Sequence, residues 1–236
     1  GSSYDTVASV HTGCPGTTGD QLGCNDDSCG LGSIVSVPVL AGQTYSLPAT
    51  DGRGNAIHGF VHNRPCRVLA QSATSVTGEF HAAKDAPEVL DLWPADFRIR
   101  TQVTLDSRSL ELRCTMDNPG DRPLPCGFGA HPYYRIPLGG DRPAACLVKL
   151  PVRSRWELVD LLPTGRRILV ENALQLQAGA SFEGLQFDDA FSDLVFAGDW
   201  TTASVSDASS GVTLEMHYDR SFRECVVYTP PHREAI

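Results

Sequence analysis

Apolar and polar side chains alternate along much of this chain with a period of two. Phe97, Ile99, Thr101, Val103 and Leu105 fall on one side of a segment that ends in Asp-Ser-Arg-Ser, and Leu110, Leu112, Cys114 and Met116 fall on one side of the return. Successive side chains of a strand point to opposite faces, so the pattern predicts a half-buried β-hairpin, bounded by Asp-Asn-Pro-Gly at 117–120. The same reasoning predicts strands over 34–40 and 44–47 across Ala-Gly-Gln, over 145–152, over 200–205 and 212–218 across Asp-Ala-Ser-Ser-Gly, and over 225–228. No stretch keeps helical periodicity beyond about three turns. The 16 prolines and 22 glycines are spread along the chain, as turns between many strands require. The class is therefore all-β, with sandwich and barrel equally compatible with the pattern.

Composition narrows the possible partners. The chain has 236 residues, 19 Lys and Arg against 28 Asp and Glu, and a net charge of −9. No basic run is available to neutralise a phosphate backbone, which argues against nucleic acid. No apolar stretch approaches the ~20 residues that cross a bilayer as a helix, so no membrane partner is expected. The opening Gly-Ser-Ser-Tyr-Asp-Thr-Val lacks the charged and apolar regions of a signal peptide, and its leading Gly-Ser resembles an expression scar.

One compositional boundary is visible. Residues 1–46 are rich in Gly, Ser, Thr and Asp and contain no Lys or Arg, the first being Arg53. They form an atypical N-terminal segment ahead of a domain expected over 47–236. The segment resembles part of a pre-peptidase-type β-module of secreted bacterial proteins. Asp20, Asn25, Asp26 and Asp27 offer oxygen ligands of the kind Ca²⁺ takes, without an established loop pattern. Cys14, Cys24 and Cys29 also lie here, either disulfide-forming or as plain loop cysteines, and Cys-Asn-Asp-Asp-Ser-Cys has no second pair with which to hold zinc. Cys66, Cys114, Cys126, Cys146 and Cys225 sit among strand residues and read as small buried hydrophobes. No metal site is expected.

Candidate chemistry concentrates in three places. Histidine titrates nearest neutrality, and of the seven present, His11, His81 and His217 read as satisfied or solvated. His58 and His131 differ in their surroundings. In Asp-Gly-Arg-Gly-Asn-Ala-Ile-His-Gly-Phe-Val-His-Asn-Arg-Pro, glycines let backbone approach a ligand while Asn55, His58, His62, Asn63 and Arg64 supply polar groups within one loop. In Gly-Phe-Gly-Ala-His-Pro-Tyr-Tyr, Pro132 holds His131 extended, and Tyr133 and Tyr134 offer flat faces of the kind sugar rings pack against. In Phe-Asp-Asp-Ala-Phe-Ser-Asp-Leu, alternation points one of Asp188 and Asp189 with the aromatics Phe187 and Phe191 and the other away, with a charged edge strand as the bland reading.

These motifs, together with Trp-Pro-Ala-Asp-Phe-Arg, the Pro-Thr-Gly turn and the closing Phe-Arg-Glu-Cys-Val-Val-Tyr-Thr-Pro-Pro-His-Arg-Glu-Ala-Ile, resemble the aldose 1-epimerase family in order and separation. The resemblance implies a large twisted antiparallel β-sandwich of the galactose mutarotase type. It implies cofactor-free interconversion of the α and β anomers of free hexoses of the glucose or galactose type by acid/base ring opening. By motif, His131 would be the acid at the ring oxygen and His58 a neighbouring donor. Asp188 would accept from sugar hydroxyls. Asn55, Arg64 and Tyr133 are expected to contact substrate as well, although Arg64 does not match the motif of the family's substrate-binding arginine. The family's base is a glutamate in the strand after the Pro-Pro-His-Arg-Glu-Ala-Ile turn. No residue here matches it, and Glu234 is not in its place, so the alternative is a sugar-binding module without turnover. The family is cytoplasmic, whereas the N-terminal segment suggests a secreted or periplasmic protein. At the family's tryptophan position after His-Asn-Arg-Pro stands Cys66, a smaller residue.

Overall fold

The computed structural model describes residues 59–62, 64–124, 126–130, 132–159 and 163–229, together with the backbone of five N-terminal strands and of Leu162. The N-terminal strands are β1 (Ser2–Asp5), β2 (Ala8–His11), β3 (Gln21–Asn25), β4 (Val37–Leu40) and β5 (Gln43–Tyr45). β2 pairs with β3, and β4 with β5, the latter antiparallel with Leu40 opposite Gln43. The chain divides into two compact units, one of Val10–Gly23 and Ile34–Gly127, the other of Gly1–Ser9, Cys24–Ser33 and Phe128–Ile236.

In the first unit, β6 (Arg67–Gln71), β7 (Ser75–His81), β8 (Arg98–Leu105) and β9 (Leu110–Asp117) form an antiparallel sheet in chain order. The β8–β9 hairpin keeps the expected register, with Leu105 opposite Leu110 and Ile99 opposite Met116. Its turn is set by Asp106, whose Oδ1 accepts from the Arg108 and Ser109 N–H groups at 2.7 and 2.8 Å. Asp and Asn side chains favour turns for this reason. One end of the apolar face is covered by α1 (Ala82–Asp85) and a 3-10 turn over Pro87–Asp91, which bury Phe80, Ala86, Val89 and Phe97. The opposite face is polar. Glu79 is buried there among Arg67, Arg100 and Arg98, at 3.0, 3.1 and 3.8 Å.

The second unit is a two-layer sandwich. Its larger sheet contains β10 (Tyr133–Tyr134), β12 (Ser154–Val159), β13 (Leu162–Leu169), β15 (Asp188–Ser192) and β18 (Cys225–Tyr228). The strand order is β10-β1-β18-β15-β12-β13. The smaller sheet has the order β14-β11-β16-β17, built from β11 (Cys146–Lys149), β14 (Ala180–Ser181), β16 (Trp200–Asp207) and β17 (Val212–Asp219). A helix, α2 (Ala173–Ala178), buries Leu176 in the same core. Between the layers, Cys146, Val148 and Val205 of one sheet meet Phe191, Cys225 and Val227 of the other. Such a meeting of inward faces is what alternation produces.

Three expectations need correction. Strand β11 is shorter than the predicted 145–152 segment, because Pro151 follows it and a proline has no N–H for the ladder. The Phe-Asp-Asp-Ala-Phe segment is an interior strand, flanked by β18 and β12, and not an edge. Of the five cysteines read as buried, Cys146 and Cys225 are so, Cys114 and Cys126 are half-buried, and Cys66 is exposed beside the edge strand β6, and none of these five is in a disulfide. Burial pushes the Cys114 thiol up to about 11, so it is unreactive at neutral pH. His217 behaves as expected, while His81 is only half satisfied, its buried Nδ1 having no hydrogen-bond partner among the described residues. His81 is buried at the end of β7 with Nε2 bonded to Asp96 Oδ2 at 2.7 Å, and His217 is exposed. No helix among the described residues is long and apolar enough to cross a membrane.

Candidate functional site

Strand β15 separates its two carboxylates as alternation requires. Phe187 and Phe191 pack edge to face at 5.5 Å on the core side. Asp189 shares that side of the strand, and its Oδ1 accepts from Arg155 at 2.6 Å. Asp188 is directed to the opposite, outer face of the sheet, where it is half-buried.

Register shows what Asp188 shares that face with. It lies opposite Tyr228 on β18, Tyr228 lies opposite Ser3 on β1, and Ser3 lies opposite Tyr133 on β10. Directly opposed residues of antiparallel strands point to the same face, so Asp188, Tyr228 and Tyr133 form one row. With strands about 4.8 Å apart, the row spans roughly 14 Å. Tyr133 is exposed and Tyr228 half-buried. Tyr134 turns the other way and packs against the core, where burial raises its hydroxyl pKa. Only one of the two adjacent tyrosines therefore offers its face.

Behind this row the same face continues through an apolar patch of Ala190, Val226 and Trp156 to a second polar group. Glu224 is 6% exposed; its Oε2 accepts from Trp156 Nε1 at 3.0 Å and its Oε1 from Ser192 Oγ at 3.3 Å. Burial pushes its carboxyl up to about 7, against the lowering effect of those two hydrogen bonds. Arg167 lies over the Trp156 ring at 5.6 Å and donates to Asp193 Oδ1 at 2.6 Å. Asp193 has φ of 53°, a conformation that Asp tolerates better than most residues, and Ser154 Oγ bonds its other oxygen.

The expected site residues divide accordingly. Asp188 and Tyr133 are brought into one row. Arg64 belongs to the other unit, where its Nε donates to the Phe60 carbonyl at 3.0 Å and its NH1 pairs with Glu88 at 2.8 Å. His131, His58 and Asn55 lie outside the described residues, as do His232, Glu234 and the side chains of Cys14, Cys24 and Cys29. Tyr228 was not singled out from the sequence. Its strand was readable, but its place beside Asp188 follows from pairing between segments 40 residues apart. Glu224 was missed because it reads as a surface acid ahead of an apolar strand. Among the described residues, no three His, Cys, Asp or Glu side chains converge as metal ligands would.

A carboxylate and two phenolic rings on one sheet face suit a neutral, hydroxyl-rich ligand. The carboxylate accepts from hydroxyls while the rings provide apolar faces with polar tips.

Comparison with known proteins places the chain. The family model for aldose 1-epimerase matches residues 37–235. No curated protein matches the sequence. Among solved structures, the GalM/aldose epimerase homologue from C. elegans is similar at 16% identity with a TM-score of 0.52, over 83% of this chain and 68% of that one. An aldose 1-epimerase candidate from Escherichia coli K12 is similar at 13% identity with a TM-score of 0.58, over 80% of this chain and 65% of that one. The chain thus spans about two thirds of the length of these structures, and the likeness establishes the β-rich fold of galactose mutarotase relatives. With the family model covering most of its length, the chain belongs to the aldose 1-epimerase family.

Proposed function

We propose that this protein binds a free hexose on the outer face of the larger sheet and interconverts its anomers by acid/base ring opening. The observation that carries this reading is the row of Asp188, Tyr228 and Tyr133 on one face. His131 precedes Tyr133 by two residues and is assigned as the acid that protonates the ring oxygen, with His58 as a neighbouring donor. Protonating the ring oxygen while the anomeric hydroxyl gives its proton to a solvent water breaks the bond between C1 and the ring oxygen and leaves the open-chain aldehyde. Rotation about C1–C2 and reclosure return either anomer. Asp188 accepts from hydroxyls of the bound sugar, Tyr133 packs against its ring, and Asn55 is assigned to a further hydroxyl. An acid–base partner of this kind contributes about 10²–10⁴-fold.

The test is polarimetry on freshly dissolved α-glucose and α-galactose. Acceleration by the native chain that is lost in His131→Ala supports the reading. Sugar binding by calorimetry with no acceleration replaces it by binding without turnover. Neither binding nor acceleration rejects it.

A further inference from the structure

Strand β9 closes one edge of the four-stranded sheet, and among the described residues no strand pairs with its outer side. Its eight residues, Leu-Glu-Leu-Arg-Cys-Thr-Met-Asp, form a long regular strand, and a bare edge of this kind is a template for pairing with another chain. Proteins commonly blunt such edges with bulges or short strands. Here the ladder to β8 runs without a register shift from Arg98 opposite Asp117 to Leu105 opposite Leu110. Leu105, Leu110 and Leu112 are 54%, 65% and 42% exposed on its apolar face. Glu111 and Arg113 are exposed on the other face and pair with each other at 2.9 Å.

We propose that two copies of this chain associate by antiparallel pairing of β9 with β9 about a two-fold axis at Leu112, making one continuous sheet. The charges and the exposed leucines of β9 together select this register. An axis perpendicular to the sheet keeps each face on its own side, so the permitted registers differ by two residues and move the axis one residue at a time. With the axis at Leu112, Glu111 faces Arg113 of the partner subunit, the reciprocal pair forms by symmetry, and Leu110 faces Cys114 of the partner subunit. Moving the axis to Glu111 sets glutamate against glutamate, and moving it to Arg113 sets arginine against arginine. Placing it at Cys114 sets Glu111 against Asp117 of the partner subunit. Placing it at Thr115 sets Arg113 against Asp117 of the partner subunit, a complementary pair, but opposes Leu112 to Asn118 of the partner subunit and leaves Leu110 uncovered. Opposite charges directly across an antiparallel pair attract and like charges repel, so only the Leu112 axis joins complementary charges with cover for both exposed leucines of β9.

Sedimentation velocity of the full chain from micromolar to millimolar concentration tests the proposal. The native chain is expected to dimerise, and Glu111→Arg and Arg113→Glu are each expected to weaken association by on the order of 100-fold, as two attractive contacts become repulsive. Mixing the two variants should restore a dimer, because every cross-strand contact then has opposite charges; the doubly swapped chain should dimerise alone. A native chain that stays monomeric throughout overturns the proposal. So does a dimer unaffected by either substitution, which would use another surface.

Discussion

Trp156 Nε1 donates to Glu224 Oε2 at 3.0 Å, joining strand β12 to the residue just ahead of β18, 68 positions away in the sequence. The bond satisfies the indole and one oxygen of a carboxyl that is otherwise taken out of water. With its carboxyl raised to about 7 by burial, Glu224 is protonated in the folded protein under mildly acid conditions, whereas an unfolded chain ionises it near 4.5. The folded state then binds the extra proton, so stability is fully present below about pH 4.5 and falls as pH rises through about 7. The total change is on the order of 3 kcal/mol. Glu224→Gln keeps an acceptor for Trp156 and removes the titration. The expected result is a thermal midpoint that changes less between pH 5 and pH 8 than that of the native protein and is higher at pH 8. An unchanged pH slope in the variant would sink this account.

Asp207 titrates in the opposite sense. Its Oδ1 accepts from Ser209 Oγ at 2.6 Å, from Ser209 N–H at 2.9 Å and from Ser210 N–H at 3.3 Å, while Oδ2 accepts from Gly140 N–H at 3.1 Å. The Ser209 hydroxyl, opposed by burial and aided by the three N–H donors, holds its carboxyl down at about 2. Stability from this group is present above the ordinary value near 3.9 and is lost as pH falls through about 2. Asp207→Asn is expected to lower the midpoint at pH 7 and to make acid unfolding between pH 4 and pH 2 less steep. Unfolding curves at pH 7 and pH 3 decide it; equal losses at both would show that the charge is immaterial.

Gly140 belongs to the same junction. A Cβ added there would sit 2.0 Å from Ser209 Oγ and 2.7 Å from Asp207 Oδ2. Neither atom is free to give way without losing its hydrogen bonds, so Gly140→Ala is expected to destabilise by about 1–3 kcal/mol, the usual range for overpacking. Combining it with Ser209→Ala removes the closest obstacle and should recover part of the loss. Denaturant midpoints for the single and double variants form the check, and additive losses would contradict it.

The two long hairpins were legible in the sequence because their pairing is local and uninterrupted. Leu105 opposite Leu110 and Asp207 opposite Val212 both follow from alternation that continues through a short turn. Strands β12 and β13 were not, since Arg155, Glu157, Arg166 and Arg167 break up the apolar rhythm, and their charges are accommodated by Asp189, Asp193 and Thr164. In the candidate site, alternation was enough to separate Asp188 from Asp189. It could not supply the neighbours of Asp188, because β18 and β10 reach it through long-range pairing that no local pattern encodes. Nor could it mark Glu224 as buried, since Trp156 and Ser192 meet it only in the folded sheet.

That separation of adjacent carboxylates gives the sharpest test of the proposed sugar site. Asp188 is on the outer face with Tyr228 and Tyr133, while Asp189 is on the core side with its charge engaged by Arg155. A carboxylate accepting a hydrogen bond from a ligand hydroxyl contributes about 1.5–3 kcal/mol, so Asp188→Ala should weaken hexose binding by roughly 10–100-fold. Asp189→Asn removes a charge one residue away and leaves the outer face intact. It should change affinity by less than about threefold, while lowering stability through the lost pair with Arg155. Tyr133→Ala, which removes an exposed ring from the same row, should weaken binding without lowering the thermal midpoint, because that ring is not part of the core. Calorimetric titration with glucose and galactose, run beside thermal unfolding of each variant, separates these effects. If Asp189→Asn weakened binding as much as Asp188→Ala, the sugar would not be held on the outer face, and the row of Asp188, Tyr228 and Tyr133 would have no part in the function.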